Sequence, residues 1–258
     1  MSVGIMPAHL ARNWMLPANK VNTHGATGAP GYSLADLSDG TLGRAWRSDP
    51  AFGTSAYRFT LTLPAAAKVS FMAALDVRAY STSAKISQVR FGVGTWSAVA
   101  IPLATAVPRR GDAGVRFTPQ TSATWWVEVW LTGSAPISIG EIVIGEPLEM
   151  ATHFRAWQRD DQKATIRNGD FASRAAARRM SLSCEWAALK AADHAQMLDL
   201  IDPLEGALHP VVLIPDLDAP GELYHGTLDD SHPHAQGPDR YHTGHRIVFT
   251  ESRRPLGY

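Results

Sequence analysis

Alternation with a period of two governs this chain from Tyr57 to Ile139 and leaves it few ways to fold. Tyr57, Phe59, Leu61 and Leu63 alternate with Arg58, Thr60 and Thr62. Val69, Phe71, Ala73, Leu75 and Val77 continue the period, and Val89, Phe91 and Val93 repeat it. Trp125, Val127, Val129 and Leu131 form a further stripe, and Ile137 with Ile139 a short one. Successive side chains of a strand point to opposite faces, so each run predicts a strand with one buried face. Gly, Pro, Ser and Thr between the runs supply turns, and the pattern is that of an antiparallel sandwich. Residues 22–149 are expected to be all-β.

The flanking segments read differently. Residues 1–21 form an arm in which Leu10, Trp14 and Leu16 are apolar while Pro7 and Pro17 break any helix. This arm is expected to pack with the C-terminal part or with a neighbouring subunit. In residues 150–258, Met180, Leu182, Cys184 and Trp186 alternate with polar residues, as in a half-buried strand. A helix is expected from Ala191 to Asp202, where Met197, Leu198 and Ile201 make an apolar stripe and Asp193 suits the dipole of the first turn. A continuous apolar strand, Val211 to Ile214, follows Pro210, and two more are expected at Leu223–Leu228 and Tyr241–Phe249. The order describes a small α+β domain with one helix.

Composition narrows the functions open to such a fold. Lys plus Arg and Asp plus Glu both number 24, so the chain lacks the positive excess of a surface built to attract nucleic acid. Cys184 is the single cysteine, which excludes an internal disulfide framework. The first residues lack the basic start and apolar core of a secretory signal, and no apolar run nears the roughly 20 residues that cross a bilayer. A soluble protein made in the cytoplasm is expected.

Two stretches carry a resemblance. YSLADLSDGTLGRAWRSDP, followed by AYRFTLTLP, resembles the opening of discoidin-like (galactose-binding-like) jelly-roll domains, with Asp39 and Gly40 in the turn and Trp46 as the buried tryptophan. WWVEVWLTGSAPISIGEIVIGEP is similar to the final hairpin of that fold, with Ile139, Gly140, Glu141, Ile144 and Gly145 in its turn. The C-terminal features RRMSLSCEWAAL, ADHAQMLDLIDPL, HPVVLIPDLD, ELYHGTLDD and RIVFTES are similar to distal-tail and minor tail-tip proteins of long-tailed bacteriophages and gene transfer agents. The resemblance implies a mainly β structural virion protein: a jelly-roll β-sandwich inserted after the arm, and a belt-like domain that closes a ring at the tail's end. A hexamer is the family expectation, with a trimer as the alternative. Partners would be tube, hub and tip proteins, and the location the virion after synthesis in the host cytoplasm.

Candidate sites remain. Trp126 and Trp130 fall on the opposite face of their strand from Trp125 and Val127, beside Glu128, while Tyr32, Tyr80 and Trp96 fall in or near loops. An aromatic face beside polar groups suits a sugar, so Trp126, Trp130 and Trp96 are candidate glycan contacts. The competing reading is a strand covered on both faces. His232, His234, His242 and His245, with Asp229 or Asp230, could hold a transition metal of a hydrolase, or else line a polar loop at an interface. Asp36 and Asp39 could hold calcium or simply form a turn. Cys184 sits on the apolar side of its strand, and the pairs Asp160-Asp161 and Asp229-Asp230 point to opposite faces, so neither a nucleophile nor a carboxylate dyad is expected. Arg174, Arg178 and Arg179, with Arg253 and Arg254, could meet acidic residues of a neighbour. No cofactor and no enzymatic activity are expected.

Overall fold

A computed structural model describes residues 2–7, 20–24, 28–37, 42, 45–51, 53–109, 111–151, 154–160, 164–165, 171–172, 179–186, 189–190, 195, 198, 210–229, 235–236, 241–243 and 245–251. In chain order the strands are β1 (Ser2–Pro7), β2 (Lys20–Thr23), β3 (Trp46–Arg47), β4 (Thr54–Leu75), β5 (Arg78–Ala79), β6 (Ile86–Val93) and β7 (Ala104–Ala106). β8 (Ala113–Ala135), β9 (Ile137–Ile139), β10 (Glu141–Gly145), β11 (Leu148–Ala151), β12 (Phe154–Asp160), β13 (Ala164–Thr165) and β14 (Phe171–Ala172) follow. β15 (Arg179–Trp186), β16 (Leu189–Lys190), β17 (Val211–Ile214), β18 (Tyr224–Asp229), β19 (Ala235–Gln236), β20 (Tyr241–Thr243) and β21 (His245–Glu251) complete the set.

The alternating segment forms an antiparallel jelly-roll β-sandwich. Its larger sheet runs β10-β4-β8-β6-β7 with β2 added to β4, and its smaller sheet runs β3-β9-β5. Tyr57, Phe59, Leu61, Trp125, Val127, Val129, Ile137 and Ile139 fill the space between them, on the stripes that the period marks out. Trp46 is buried edge-on against Phe59, with ring centroids 5.1 Å apart. The tyrosine needs a partner for its hydroxyl in so apolar a place, and finds one in the Ala135 carbonyl, which accepts at 2.7 Å. Val93 departs from its stripe, being exposed where β6 ends. β9 and β10 do not form a terminal hairpin, because β9 joins β3 and β5 while β10 pairs with β4.

The expected single stripe from Val69 to Val77 is also corrected. β4 and β8, of 22 and 23 residues, pair along their length but slip register at three places, the last between Val69 and Phe71. A bulge interrupts the ladder and re-aims the side chains beyond it. Val69 faces the sandwich core, then Met72 and Ala74 do, while Phe71, Ala73 and Leu75 turn to the other face. There they meet Val212, Ile214, Leu217 and Leu223 in a second core.

That second core belongs to a seven-stranded antiparallel sheet, β11-β1-β17-β18-β21-β15-β12. β1 lies between β11 and β17, with Gly4 opposite both Glu149 and Ile214. All four residues of β17 are buried, which explains its unbroken apolar sequence. Tyr241–Phe249 is two strands and not one: β20 pairs with β16 and β19, whereas β21 pairs with β18 and β15. Within the expected helix Ala195 and Leu198 are helical, and the rest of that segment lies outside the described residues.

Burial raises the Tyr57 pKa above its ordinary value of 10.0, against smaller opposing effects of hydrogen bonds from Ser48 and the Thr54 backbone. A raised folded-state pKa favours the neutral phenol, so Tyr57 contributes stability that is intact below the unfolded value and lost as pH rises through the folded one. Tyr57→Phe strips the Ala135 carbonyl of its buried donor and should cost about 1–3 kcal/mol at neutral pH. Urea denaturation across the alkaline range should show a shallower stability loss above about pH 10 for the variant than for the parent.

Candidate functional site

The smaller sheet and the turn before it gather polar and aromatic side chains from four segments around a cavity of about 390 Å³. Each is set by local chemistry. Ala29, Pro30, Gly31 and Tyr32 make a turn closed by the Tyr32 amide donating to the Ala29 carbonyl at 3.1 Å. Gly31 has φ of +85°, as the third residue of a type II turn requires, and Pro30 suits the second. Ser33 then opens the 3-10 turn Leu34–Leu37: its hydroxyl accepts from the Ala35 amide at 3.1 Å, and its own amide donates to Asp36 Oδ2 at 2.8 Å. Asp36 is thereby fixed at the rim, with Oδ1 unengaged among the described residues.

Opposite, β3 presents Arg47 beside Ser138 of β9. At the end of β4, Asp76 takes a left-handed conformation with φ of 52°, an uncommon one for a residue with a side chain but more open to Asp than to most. Its amide donates to Asp112 Oδ1 at 2.9 Å, and its carboxylate receives Arg78 at 2.7 Å. This corner turns the chain so that Tyr80 reaches back over β9, where its hydroxyl donates to Ser138 Oγ at 3.1 Å.

Arg47 is the centre of the arrangement. Its guanidinium carbon lies 4.8 Å from the Tyr32 ring centroid and 5.4 Å from that of Tyr80. Cation–π contacts at such exposed sites contribute about 0.5–1 kcal/mol each, enough to hold the group in place without neutralising it. Among the described residues no carboxylate pairs with it. The cavity therefore offers a fork of N–H donors, a carboxylate oxygen and those parts of two partly exposed tyrosine rings that Arg47 does not cover.

The tryptophans singled out as glycan contacts lie elsewhere, on the outer face of the larger sheet. Arg58, Glu128 and Arg90 sit side by side on β4, β8 and β6. Glu128 accepts from Arg58 Nε at 2.7 Å, lies 3.5 Å from Arg90 Nη1 and also accepts from Trp130 Nε1. Arg58 stacks on Trp96 at 4.2 Å and Arg90 on Trp130 at 4.7 Å. His24 adds a tilted contact to Trp96 and a 2.6 Å hydrogen bond to Thr60. Trp126 is 1% exposed, its indole lying across Gly92, and so presents no face to a ligand. Trp96 and Trp130 are half-buried, each with a guanidinium already over its ring.

His232, His234, Asp39, Asp161, Asp230, Arg174, Arg178, Arg253 and Arg254 lie outside the described residues, and His242, His245, Cys184, Asp160, Arg179 and Asp229 are placed by backbone alone. Among the described residues no three His, Cys, Asp or Glu side chains come together as a metal site. Arg47, Arg78 and Ser138 drew no notice in the sequence. The signal for Arg47 was its place directly after the buried Trp46, in a strand, where its side chain must point outward.

No family model matches the chain, and no curated protein resembles it significantly. Among solved structures it is similar to chitosan-binding module 1 of a chitosanase/glucanase from Paenibacillus sp. IK-5, at 18% identity over 52% of this chain and 98% of that one, with a TM-score of 0.41. It is also similar to CBM32-3 of a family 31 glycoside hydrolase from Clostridium perfringens, at 18% identity over 49% and 92% of the two chains, with a TM-score of 0.39. A third is the lectin binding domain of Lectinolysin complexed with Lewis b, at 12% identity over 52% and 95%, with a TM-score of 0.38. At identities and TM-scores this low the likenesses say nothing of what this chain binds.

The packing of Trp126 on Gly92 can be checked directly. A Cβ at residue 92 would run into the indole, so Gly92→Ala should cost about 1–3 kcal/mol by overpacking. The intrinsic tryptophan emission of the folded variant, to which eight residues contribute, should shift to longer wavelength than the parent's.

Proposed function

We propose that this chain is a non-enzymatic saccharide-binding protein whose site is the Tyr32–Arg47–Tyr80 cavity. The observation that carries the proposal is Arg47, held against two tyrosine rings with no carboxylate partner among the described residues. A pyranose presents hydroxyl acceptors and donors around its rim and C–H groups on its faces. The first suit the guanidinium and Asp36 Oδ1, the second the tyrosine rings. The cavity volume of about 390 Å³ falls within the roughly 300–1,000 Å³ of small-molecule sites. Nothing in the arrangement pairs a nucleophile with a base, so it is suited to holding a ligand unchanged.

A second reading concerns the setting in which this site is used. β1 lies in the same sheet as β11 and β17, so the chain leaves that sheet, builds the sandwich and returns. This layout of arm, inserted jelly roll and closing domain supports a distal-tail or tail-tip protein of a phage-type particle. In that setting a ring of copies, six or three, joins tube, hub and tip proteins on the virion and turns the saccharide site toward the host surface. Imaging of particles would then show the chain as a ring at the tail's end. A chain that stays monomeric and is missing from particles removes the tail setting and leaves the saccharide site untouched.

The site itself is tested on a glycan array followed by calorimetry. The parent protein should bind a defined set of glycans, and Arg47→Ala and Tyr80→Ala should each weaken binding about ten-fold or more with melting temperature unchanged, while Trp130→Ala should not. Loss with Trp130→Ala alone would move the site to the outer face, and a parent that binds no glycan would end the proposal.

A further inference from the structure

The floor of the Tyr32–Arg47–Tyr80 cavity is a row of three side chains across the smaller sheet. Ser138 of the central strand β9 stands opposite Arg47 of β3 on one side and opposite Arg78 of β5 on the other. Residues paired directly across an antiparallel ladder point to the same face, so two arginine side chains flank one hydroxyl. The two arginines are placed differently. Arg78 meets the carboxylate of Asp76 at 2.7 Å, and that side chain is 7% exposed, so the pair is a fixed part of the wall. Arg47 is exposed, rests on two tyrosine rings and has no carboxylate partner among the described residues.

The hydroxyl between them is half used. Ser138 is 1% exposed, and its oxygen accepts from the Tyr80 hydroxyl at 3.1 Å. Among the described residues no acceptor takes its own hydrogen. A buried donor ordinarily has an acceptor, and the cavity that Ser138 lines is the place for one. The floor thus calls for a charged acceptor. The rim calls for the opposite, because Asp36 keeps Oδ1 unengaged among the described residues, and an ionised carboxylate only accepts.

We propose that the cavity takes an acidic saccharide: a pyranose whose anionic group at C6, a carboxylate or a sulfate ester, accepts from Arg47 and Ser138 while hydroxyls across the ring donate to Asp36. This assignment rests on the cavity being a saccharide site and adds the charge of the ligand. C6 hangs from C5, and the C2 and C3 hydroxyls stand on the opposite side of the ring, so one residue can present an acceptor to the floor and donors to the rim. An oxyanion matches the in-plane N–H edge of a guanidinium with two parallel bonds. A neutral hexose offers a single uncharged hydroxyl at the same position, and hydrogen bonds between neutral groups are roughly half as strong.

The test uses the full chain and three sets of oligosaccharides that differ only in the terminal residue: glucose or galactose, the corresponding uronic acid, and the 6-O-sulfated hexose. By calorimetry at least one acidic set should bind about ten-fold or more tightly than the neutral set, the tighter of the two naming the anionic group. That advantage should shrink as salt is raised. Arg47→Gln should bring the acidic ligands down to the level of the neutral ones with the melting temperature unchanged. Ser138→Ala, which also releases Tyr80, should weaken both kinds of ligand and lower the ratio between them. Equal or tighter binding of the neutral set overturns the acidic assignment and leaves the saccharide site standing, and so does an acid preference that survives Arg47→Gln. A parent protein that binds no glycan of any set ends both.

Discussion

The pairing of β4 with β8 is the element on which both halves of the molecule depend. Strands of 22 and 23 residues are too long to run straight in a twisting sheet, and the register slips where they bend. The slip between Val69 and Phe71 has the widest consequence. Before it one face of β4 is buried, beyond it both are, and the same strand supplies Met72 and Ala74 to one core and Phe71, Ala73 and Leu75 to another. Two apolar faces on one backbone couple the sandwich to the seven-stranded sheet more firmly than a linker would. Each buried aliphatic side chain contributes about 1.5–3 kcal/mol against the entropy of ordering.

The same strand also positions the cavity. β4 ends at Leu75, and the left-handed backbone of the next residue, Asp76, is held by Asp112, just before β8, and by Arg78. A strand that ended a residue earlier or later would send Tyr80 to the opposite face of its segment and away from Ser138. Site geometry and core packing are thus two results of one strand pair.

Arginine behaves in two ways in this protein, and the difference separates scaffold from site. Arg58 and Arg90 share Glu128 and lie on Trp96 and Trp130, so their charge and the rings' faces are largely used up within the molecule. Arg47 also lies on aromatic rings, but its hydrogen-bonding edge is left to the cavity. Burying a tryptophan beneath this layer needed a glycine opposite it, and Gly92 provides that space.

Periodicity alone was enough to place most of the sandwich. The stripes at Tyr57–Leu63, Val89–Phe91 and Trp125–Leu131 face the core as expected, because a half-buried strand must alternate and a one-residue slip would invert it. Trp46 was legible as a buried residue, and the unbroken run Val211–Ile214 as an apolar strand, which the structure then buries on both faces. The site was legible only in part: Tyr32 and Tyr80 stood out as loop aromatics, whereas for Trp126 the sequence left open a sugar-facing ring or a strand covered on both faces. Alternation says that a side chain points away from one core, and it is silent on whether something else covers it. Only the tertiary structure decided that Phe71 and Leu75 serve a second core, that Trp126 is buried on Gly92, and that Arg47 stands between residues 15 before it and 33 after it without a counter-charge among the described residues. A bulge, a covering contact and a missing partner are relations between segments distant in sequence, and local pattern carries no record of them.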